Sequence, residues 1–97
     1  MILKKVQWYM GRIEEELDDA QTYAEKYLLN SGWSQEWGKM YHEMARQELT
    51  HAVYLRKMAD EHIKMLEHVP EETEEAWEHC QRRAIERTAE IESILNK

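Results

Sequence analysis

Only two places in this chain of 97 residues carry residues that readily end a helix: positions 30–32, with the sequence Asn-Ser-Gly, and Pro70. The segments between them consist largely of Glu, Lys, Arg, Ala, Leu and Met, which favour helices. No stretch alternates apolar with polar residues as a half-buried strand does. The sequence therefore predicts an all-α single domain with three helices, at about residues 2–30, 35–69 and 71–95.

The residues at the two breaks predict how the helices end and begin. Gly32 can adopt the left-handed conformation that closes a helix, and Ser34 is a good N-cap for the next helix. Pro70 ends the second helix and can serve as the first residue of the third. Gly11 and Gly38 fall inside helices, where each marks either a close contact between helices or a tolerated surface position.

Charge and composition argue against several classes of function. The chain carries 20 acidic and 13 basic side chains, and its net charge of −7 disfavours nucleic acid and anionic membranes while attracting cations. No apolar run is long enough to span a membrane, and residues 1–5 do not begin a signal peptide. The lone Cys80 cannot form an internal disulfide and is expected to be a small buried residue. We expect a soluble cytoplasmic protein.

Apolar residues recur at helical spacing in the first two segments, which predicts a core-facing stripe on each helix. The stripe of the first helix consists of Ile2, Val6, Tyr9, Ile13, Glu16, Ala20, Tyr23 and Tyr27. The stripe of the second helix consists of Trp37, Tyr41, Met44, Glu48, His51, Leu55, Met58, His62, Met65 and Val69. Because ionisable residues interrupt both stripes, Glu16, Glu48 and His51 are expected to point inward.

The short loop predicts an antiparallel hairpin, in which residues at equal height have numbers that sum to about 64. Glu16 and Glu48 satisfy this rule, and His51 lies one turn further along the second helix. No Lys or Arg occupies either stripe, so an internal salt bridge explains the two buried carboxylates poorly. A metal cation between the carboxylates is the better explanation.

The residues Glu48 and His51 form a Glu-x-x-His motif, in which both side chains lie on one face of a helix and can reach the same ion. Di-iron carboxylate bundles use one Glu from each of two helices and a Glu-x-x-His from each of two others. This hairpin, with Glu16, offers half of that set. Two copies related by a twofold axis would supply four carboxylates and two imidazoles.

With Glu16, Tyr23, Glu48 and His51 in this arrangement, the sequence resembles the ferritin-like superfamily, and more closely the encapsulated ferritin-like proteins. The resemblance implies a homodimer that forms a ferritin-like four-helix bundle and assembles into a ring. It implies metal-ligand roles for the two glutamates and the histidine, with Tyr23 beside a centre of two iron ions per dimer. It also implies ferroxidase activity, the oxidation of Fe(II) to Fe(III) by dioxygen, for iron detoxification or storage.

The resemblance further implies encapsulation by a shell protein, although residues 94–97 show no docking peptide for a nanocompartment. Manganese or zinc are alternative metals for the same ligands. Two other functions stay open from the residues alone. One is a di-metal peroxidase of the rubrerythrin type, and the other is a non-enzymatic acidic helical bundle that acts in assembly or interaction.

The remaining polar residues have ordinary explanations. His62 is expected to pack at the open end of the hairpin, and His42, His68 and His79 are expected at the surface. The acidic runs are solvated faces, with an iron access path as a minority interpretation for Glu15, Asp18 or Asp19. The third helix carries a thinner apolar stripe that suits docking against the hairpin or another subunit: Trp77, Cys80, Ala84, Thr88, Ile91 and Leu95.

Overall fold

The computed structural model describes residues 1–97 and consists of three α-helices without a strand, which confirms the predicted all-α class. The helices are α1 (Lys4–Ser31), α2 (Gln35–Lys64) and α3 (Glu71–Leu95). The molecule is a rod with principal extents of 54 × 17 × 16 Å. None of the three helices contains a stretch apolar enough to cross a bilayer.

The helix ends match the predicted breaks, with three differences. Ser34 caps α2 as predicted, since its hydroxyl accepts a hydrogen bond from the backbone N–H of Trp37 at 3.2 Å. Gly32, however, has φ −77° and does not adopt the left-handed conformation that we expected. Pro70 is the N-cap of α3 rather than its first residue.

The third difference concerns the end of α2, which lies at Lys64 and not near residue 69 as expected. The backbone N–H of Met65 donates to the carbonyl of His62 at 3.2 Å and that of Leu66 donates to the carbonyl of Ile63 at 3.1 Å, which tightens the last turn. The residues from 65 to 70 then have to reverse the chain direction before α3. Helical geometry is also unfavourable for Val69, because this residue directly precedes Pro70. Met65 and Val69 therefore lie outside the helix that we predicted to contain them.

The hairpin of α1 and α2 is held together by a seam of small side chains. α1 buries Val6, Tyr9, Ile13, Glu16, Leu17, Ala20 and Ala24, and α2 buries Gly38, Ala45, Leu49, Ala52 and Ala59. At Gly38 an added Cβ would lie 3.0 Å from the Cα of Ser31, so this glycine marks a close helix contact. At Gly11 nothing lies within 4 Å of an added Cβ, so that glycine is a surface position.

The buried row of α2 is shifted by one residue from the stripe that the sequence predicted. Trp37 and Met58 in the predicted stripe are 49% and 50% exposed, whereas their neighbours Gly38 and Ala59 are buried. The small residues let α1 approach closely, and this leaves the large side chains at the margin of the contact. We call this margin the lateral face, and it consists of Trp37, Met40, Met44, Glu48, His51, Leu55 and Met58 of α2.

α3 packs on the opposite side of α1, against the side that carries Met10 and Leu17. The hydroxyl of Thr73 accepts a hydrogen bond from the N–H of Leu3 at 3.0 Å, which ties the start of α3 to the start of α1. The predicted apolar stripe of α3 is confirmed, since Trp77, Ala84, Ile91 and Leu95 are buried and Cys80 and Thr88 are partly buried. The chain itself therefore covers one side of α1 and leaves the lateral face uncovered.

Two of the predicted surface histidines, His68 and His79, are exposed, but His42 is not a free surface residue. Its Nε2 lies 3.0 Å from the carbonyl oxygen of Leu95, and its ring packs edge-on against Tyr27. This contact joins the end of α3 to the hairpin, which the spacing in α2 alone could not indicate. His62 packs as predicted, with its ring 6.2 Å from that of Tyr9.

Candidate metal centre

The antiparallel hairpin brings together the three residues that the sequence predicted as metal ligands. Glu16 projects from α1, and Glu48 and His51 project from one face of α2. One donor atom from each, two carboxylate oxygens and an imidazole nitrogen, lie within 4.8 Å of one another. These side chains therefore meet at the height along the hairpin that the position of the loop predicted.

Within the cluster, the histidine ring nitrogen lies between the two carboxylates. Nδ1 of His51 is 3.3 Å from Oε1 of Glu48 and 3.6 Å from Oε2 of Glu16. The first contact results from the three-residue spacing on α2, and the second results from the pairing of the two helices. Both kinds of contact are needed, since neither helix alone carries the complete cluster.

The cluster is buried on one side and open on the other. The exposed fraction of the side chain is 9% for Glu16, 18% for Glu48 and 54% for His51. The prediction that His51 points inward is wrong, because it lies on the lateral face and not on the alanine row that α1 covers. The open side leaves room for ligands from outside the chain.

A basic residue that we did not predict completes the cluster. Nη2 of Arg12 donates a hydrogen bond to Oε1 of Glu16 at 2.7 Å, and Nη1 donates to Oε2 of Glu15 at 2.5 Å. The expectation that no internal salt bridge satisfies Glu16 is therefore wrong, because Arg12 reaches it from one turn away although it lies outside the apolar stripe. The four-residue spacing of Arg12 and Glu16 is the sequence signal that could have revealed the pair.

The two carboxyl groups of the cluster have opposite pKa shifts. The hydrogen bond with Glu16, burial and the Glu16 charge raise the pKa of Glu48 from its ordinary 4.5 to about 7. The same hydrogen bond lowers the pKa of Glu16, and the positive charge of Arg12 acts in the same direction. Without a cation, the pair therefore retains a proton on Glu48 close to neutral pH.

The residues fit a transition-metal ion by chemistry and by spacing. Two carboxylates with an imidazole form a mixed oxygen and nitrogen donor set, which suits iron, manganese and zinc. Bonds of about 2.0 to 2.2 Å to a metal place two ligand atoms at most about 4.4 Å apart. The donor atoms lie within 4.8 Å of one another, which is close to that limit.

Tyr23 lies about two helical turns beyond Glu16 on α1. It follows Glu16 by seven residues, which corresponds to a rise of about 10 Å along the helix. Its ring stacks on that of Tyr41 with a centroid distance of 6.3 Å, and Trp37 extends this aromatic group at 6.4 Å from Tyr41. A role for Tyr23 beside the metal stays a prediction.

Two of the acidic residues near the cluster already have partners. Glu15 binds Arg12, and Asp18 forms a salt bridge of 2.9 Å with Arg87 of α3. Asp19 contributes to the raised pKa of Glu48 through its negative charge. Of Glu15, Asp18 and Asp19, it is therefore Asp19 whose negative charge acts on Glu48.

No protein family, curated protein or solved structure matches this chain.

Proposed function

We propose that two copies of this chain pair through their lateral faces and form a di-iron centre that oxidises Fe(II) with dioxygen. The observation that carries this proposal is the cluster of Glu16, Glu48 and His51, whose donor atoms lie within 4.8 Å of one another at a face that the chain leaves open. Iron bound there would supply the electrons that reduce dioxygen. It acts as the substrate of the reaction as well as the metal of the centre.

One chain supplies only part of the ligands that a redox pair of ions needs. Two carboxylates and one imidazole are half of the set that di-iron bundles use. A twofold axis beside His51 would bring the second half to the open side of the first, since an isologous interface pairs the same patch with itself. The partial exposure of His51 suits a residue that becomes covered on pairing.

The lateral face has the composition of a protein interface. Large apolar side chains flank the cluster on α2, with Trp37, Met40 and Met44 on one side and Leu55 and Met58 on the other. Three of them, Trp37, Met40 and Met58, are exposed in the single chain. Large apolar side chains exposed along one face of a helix are typical of interaction surfaces. Pairing of two hairpins there would form a four-helix bundle with the metal ligands in its core.

In this centre each residue has a defined task. Glu16 and Glu48 bind the cations as carboxylates, so Glu48 has to release its proton when a cation arrives. The imidazole of His51 binds through a ring nitrogen in its neutral form. The stacked rings of Tyr23 and Tyr41 lie toward the loop, where Tyr23 would hydrogen-bond a ligand or donate an electron. A ring of dimers, a shell protein and iron storage are further parts of the proposal.

The experiment is an anaerobic titration of the purified chain with Fe(II), with the oligomer mass measured in parallel and oxygen uptake recorded after aeration. We expect about one iron per chain in a dimer. Glu48→Ala and His51→Ala should abolish both iron binding and oxygen uptake. The matched control is His68→Ala, which removes an exposed histidine outside the cluster. Unchanged iron binding in both cluster variants would overturn the proposal.

A second candidate function is a non-enzymatic acidic helical bundle that acts through protein interaction. The bond between Arg12 and Glu16 favours it, because this bond already satisfies a buried carboxylate without a metal. It predicts no stoichiometric metal and an oligomer unchanged by Glu48→Ala. A peroxidase would use the same ligands, and consumption of hydrogen peroxide faster than of dioxygen would identify it. Loading with manganese or zinc separates these metals from iron, since zinc has no redox chemistry.

A further inference from the structure

We propose that Arg12 is a built-in competitor for the metal, which neutralises Glu16 when no cation is bound and has to give way when a cation binds. The inference rests on the proposed function of the centre. It adds a residue that regulates the affinity of the site without being one of its ligands.

The contacts of Glu16 are divided between the guanidinium group and the cluster. Oε1 accepts the hydrogen bond of Arg12 at 2.7 Å, while Oε2 faces Nδ1 of His51 at 3.6 Å. One oxygen of this carboxylate is therefore occupied by a positive side chain, and the other is directed into the site. A cation that binds Glu16 has to share the carboxylate with the guanidinium group or displace it.

The charges explain how the hairpin can fold without a cation between the carboxylates. Glu16 is almost fully buried, and a carboxylate in such a place needs a counter-charge or a proton. Arg12 provides the counter-charge for Glu16. Nδ1 of His51 gives both carboxyl groups a further polar neighbour, at 3.3 Å from Glu48 and 3.6 Å from Glu16. A divalent cation would bring two further positive charges next to Arg12, and like charges at this distance repel.

Glu15 gives the guanidinium group a second position. Its carboxylate accepts a hydrogen bond from Nη1 of Arg12 and is itself exposed to solvent. Arg12 can thus give up Glu16 and keep Glu15, since it is 38% exposed and not enclosed by the core. The adjacent glutamates therefore differ in task, with Glu16 as a ligand and Glu15 as the alternative acceptor for the displaced arginine.

The test measures the affinity of the wild type and of each variant for Co(II). Binding is followed by the visible absorption of bound Co(II) and by calorimetry, in the absence of dioxygen. We expect Arg12→Gln to raise the affinity by about tenfold, because it removes the competing charge. Arg12→Lys, which keeps the charge, should stay within about threefold of the wild type. Glu15→Gln should lower the affinity a few-fold, because Arg12 then has only Glu16 as a partner.

The matched control is Lys64→Gln. It removes the same charge from another pair with four-residue spacing, that of Lys64 with Asp60, which lies near the end of α2. We expect no change in Co(II) affinity for this variant. Circular dichroism of each variant confirms that the helices are intact before the titration.

The outcomes separate this inference from the proposed function. Weaker or unchanged Co(II) binding in Arg12→Gln, with wild-type binding that depends on Glu48 and His51, overturns the competitor role and leaves the metal centre in place. No binding in either the wild type or Arg12→Gln overturns the proposed function as well. Binding in Arg12→Gln alone, lost again on adding Glu48→Ala, supports the competitor role in its strongest form.

Discussion

One side of α1 and the lateral face of α2 both carry large apolar residues, but they have different surroundings. On one side, Met10 and Leu17 face α3, and the salt bridge between Asp18 and Arg87 closes the edge of that contact. The lateral face of α2, which lies beyond Glu16 and Arg12, has no helix packed on it. Apolar periodicity thus predicts that a surface will be covered, but it does not say whether the same chain or another copy covers it.

A charge placed on the lateral face should have the largest effect. Met44→Glu puts a carboxylate one turn from Glu48 at the proposed interface, and burying an unpaired charge there costs several kcal/mol. We expect the dimer to dissociate at micromolar concentration and bound iron to be lost. Analytical ultracentrifugation and metal analysis measure both effects.

The control for that variant lies on α3. Ile85→Glu makes a similar change at an apolar residue that is 56% exposed. We expect it to leave the oligomer and the iron content unchanged. Equal loss in the two variants would contradict the assignment of the interface to the lateral face.

A second prediction concerns the side of α1 that α3 covers. Ile91 is fully buried in the contact between α3 and the hairpin, so Ile91→Ala should lower the free energy of unfolding by about 2 to 5 kcal/mol. Met58→Ala on the half-exposed lateral face should cost less in a dilute, metal-free monomer, because little of its surface is buried there. Urea denaturation of the monomer measures both values. A larger loss for Met58→Ala would mean that the lateral face belongs to the core of one chain.

A third prediction concerns pH and metal-free protein. The pKa of Glu48 is raised in the folded state, so its contribution to stability is complete below the ordinary 4.5 and is lost as the pH rises through about 7. The pKa of Glu16 is lowered, and its contribution changes only at more acidic pH. The melting temperature should therefore fall between about pH 5.5 and about pH 8, and fall less in Glu48→Gln.

The control for the pH prediction is Glu43→Gln, which removes an exposed carboxylate from the same helix. Its melting temperature should follow that of the wild type over the whole pH range. The same fall in Glu48→Gln as in the wild type would show that another group titrates in this window.

The smallest expected effect is at Cys80. Burial against α1 raises the pKa of its thiol, so alkylation near pH 8 should be slower than that of a free cysteine. Because Cys80 of α3 lies in the contact with α1 and away from the lateral face, the alkylation rate should be the same in the wild type and in Met44→Glu. A rate that increases on dissociation of the dimer would place α3 at the interface.

Some parts of the candidate site could be predicted from residues alone because they depend on local geometry. The position of the loop sets the register of an antiparallel hairpin, so the meeting of Glu16 with Glu48 followed from their numbers. The three-residue spacing places His51 beside Glu48 on any regular helix. The contact of Arg12 with Glu16 is equally local, but Arg12 lies outside the apolar stripes, so the stripes alone do not reveal it.

Other parts depend on packing and could not be predicted in this way. Two adjacent rows of α2 are both rich in apolar residues and differ by about 100° around the helix. Periodicity favoured the row with the larger residues, whereas α1 packs on the row that contains Ala45 and Ala52. The exposure of His51 and the open side of the cluster follow from this rotation.

The residues alone are enough to predict three helices, their order and the height at which the two glutamates and the histidine meet. Helix propensity, the breaks at residues 30–32 and at Pro70, and the length of the loop are local properties that each act over a few residues. The packing of the helices, by contrast, sets which face of α2 is buried, which side of α1 receives α3 and which face of the hairpin stays open. These choices depend on how closely small side chains let two helices approach, and that is a property of the pair of surfaces and not of either helix alone.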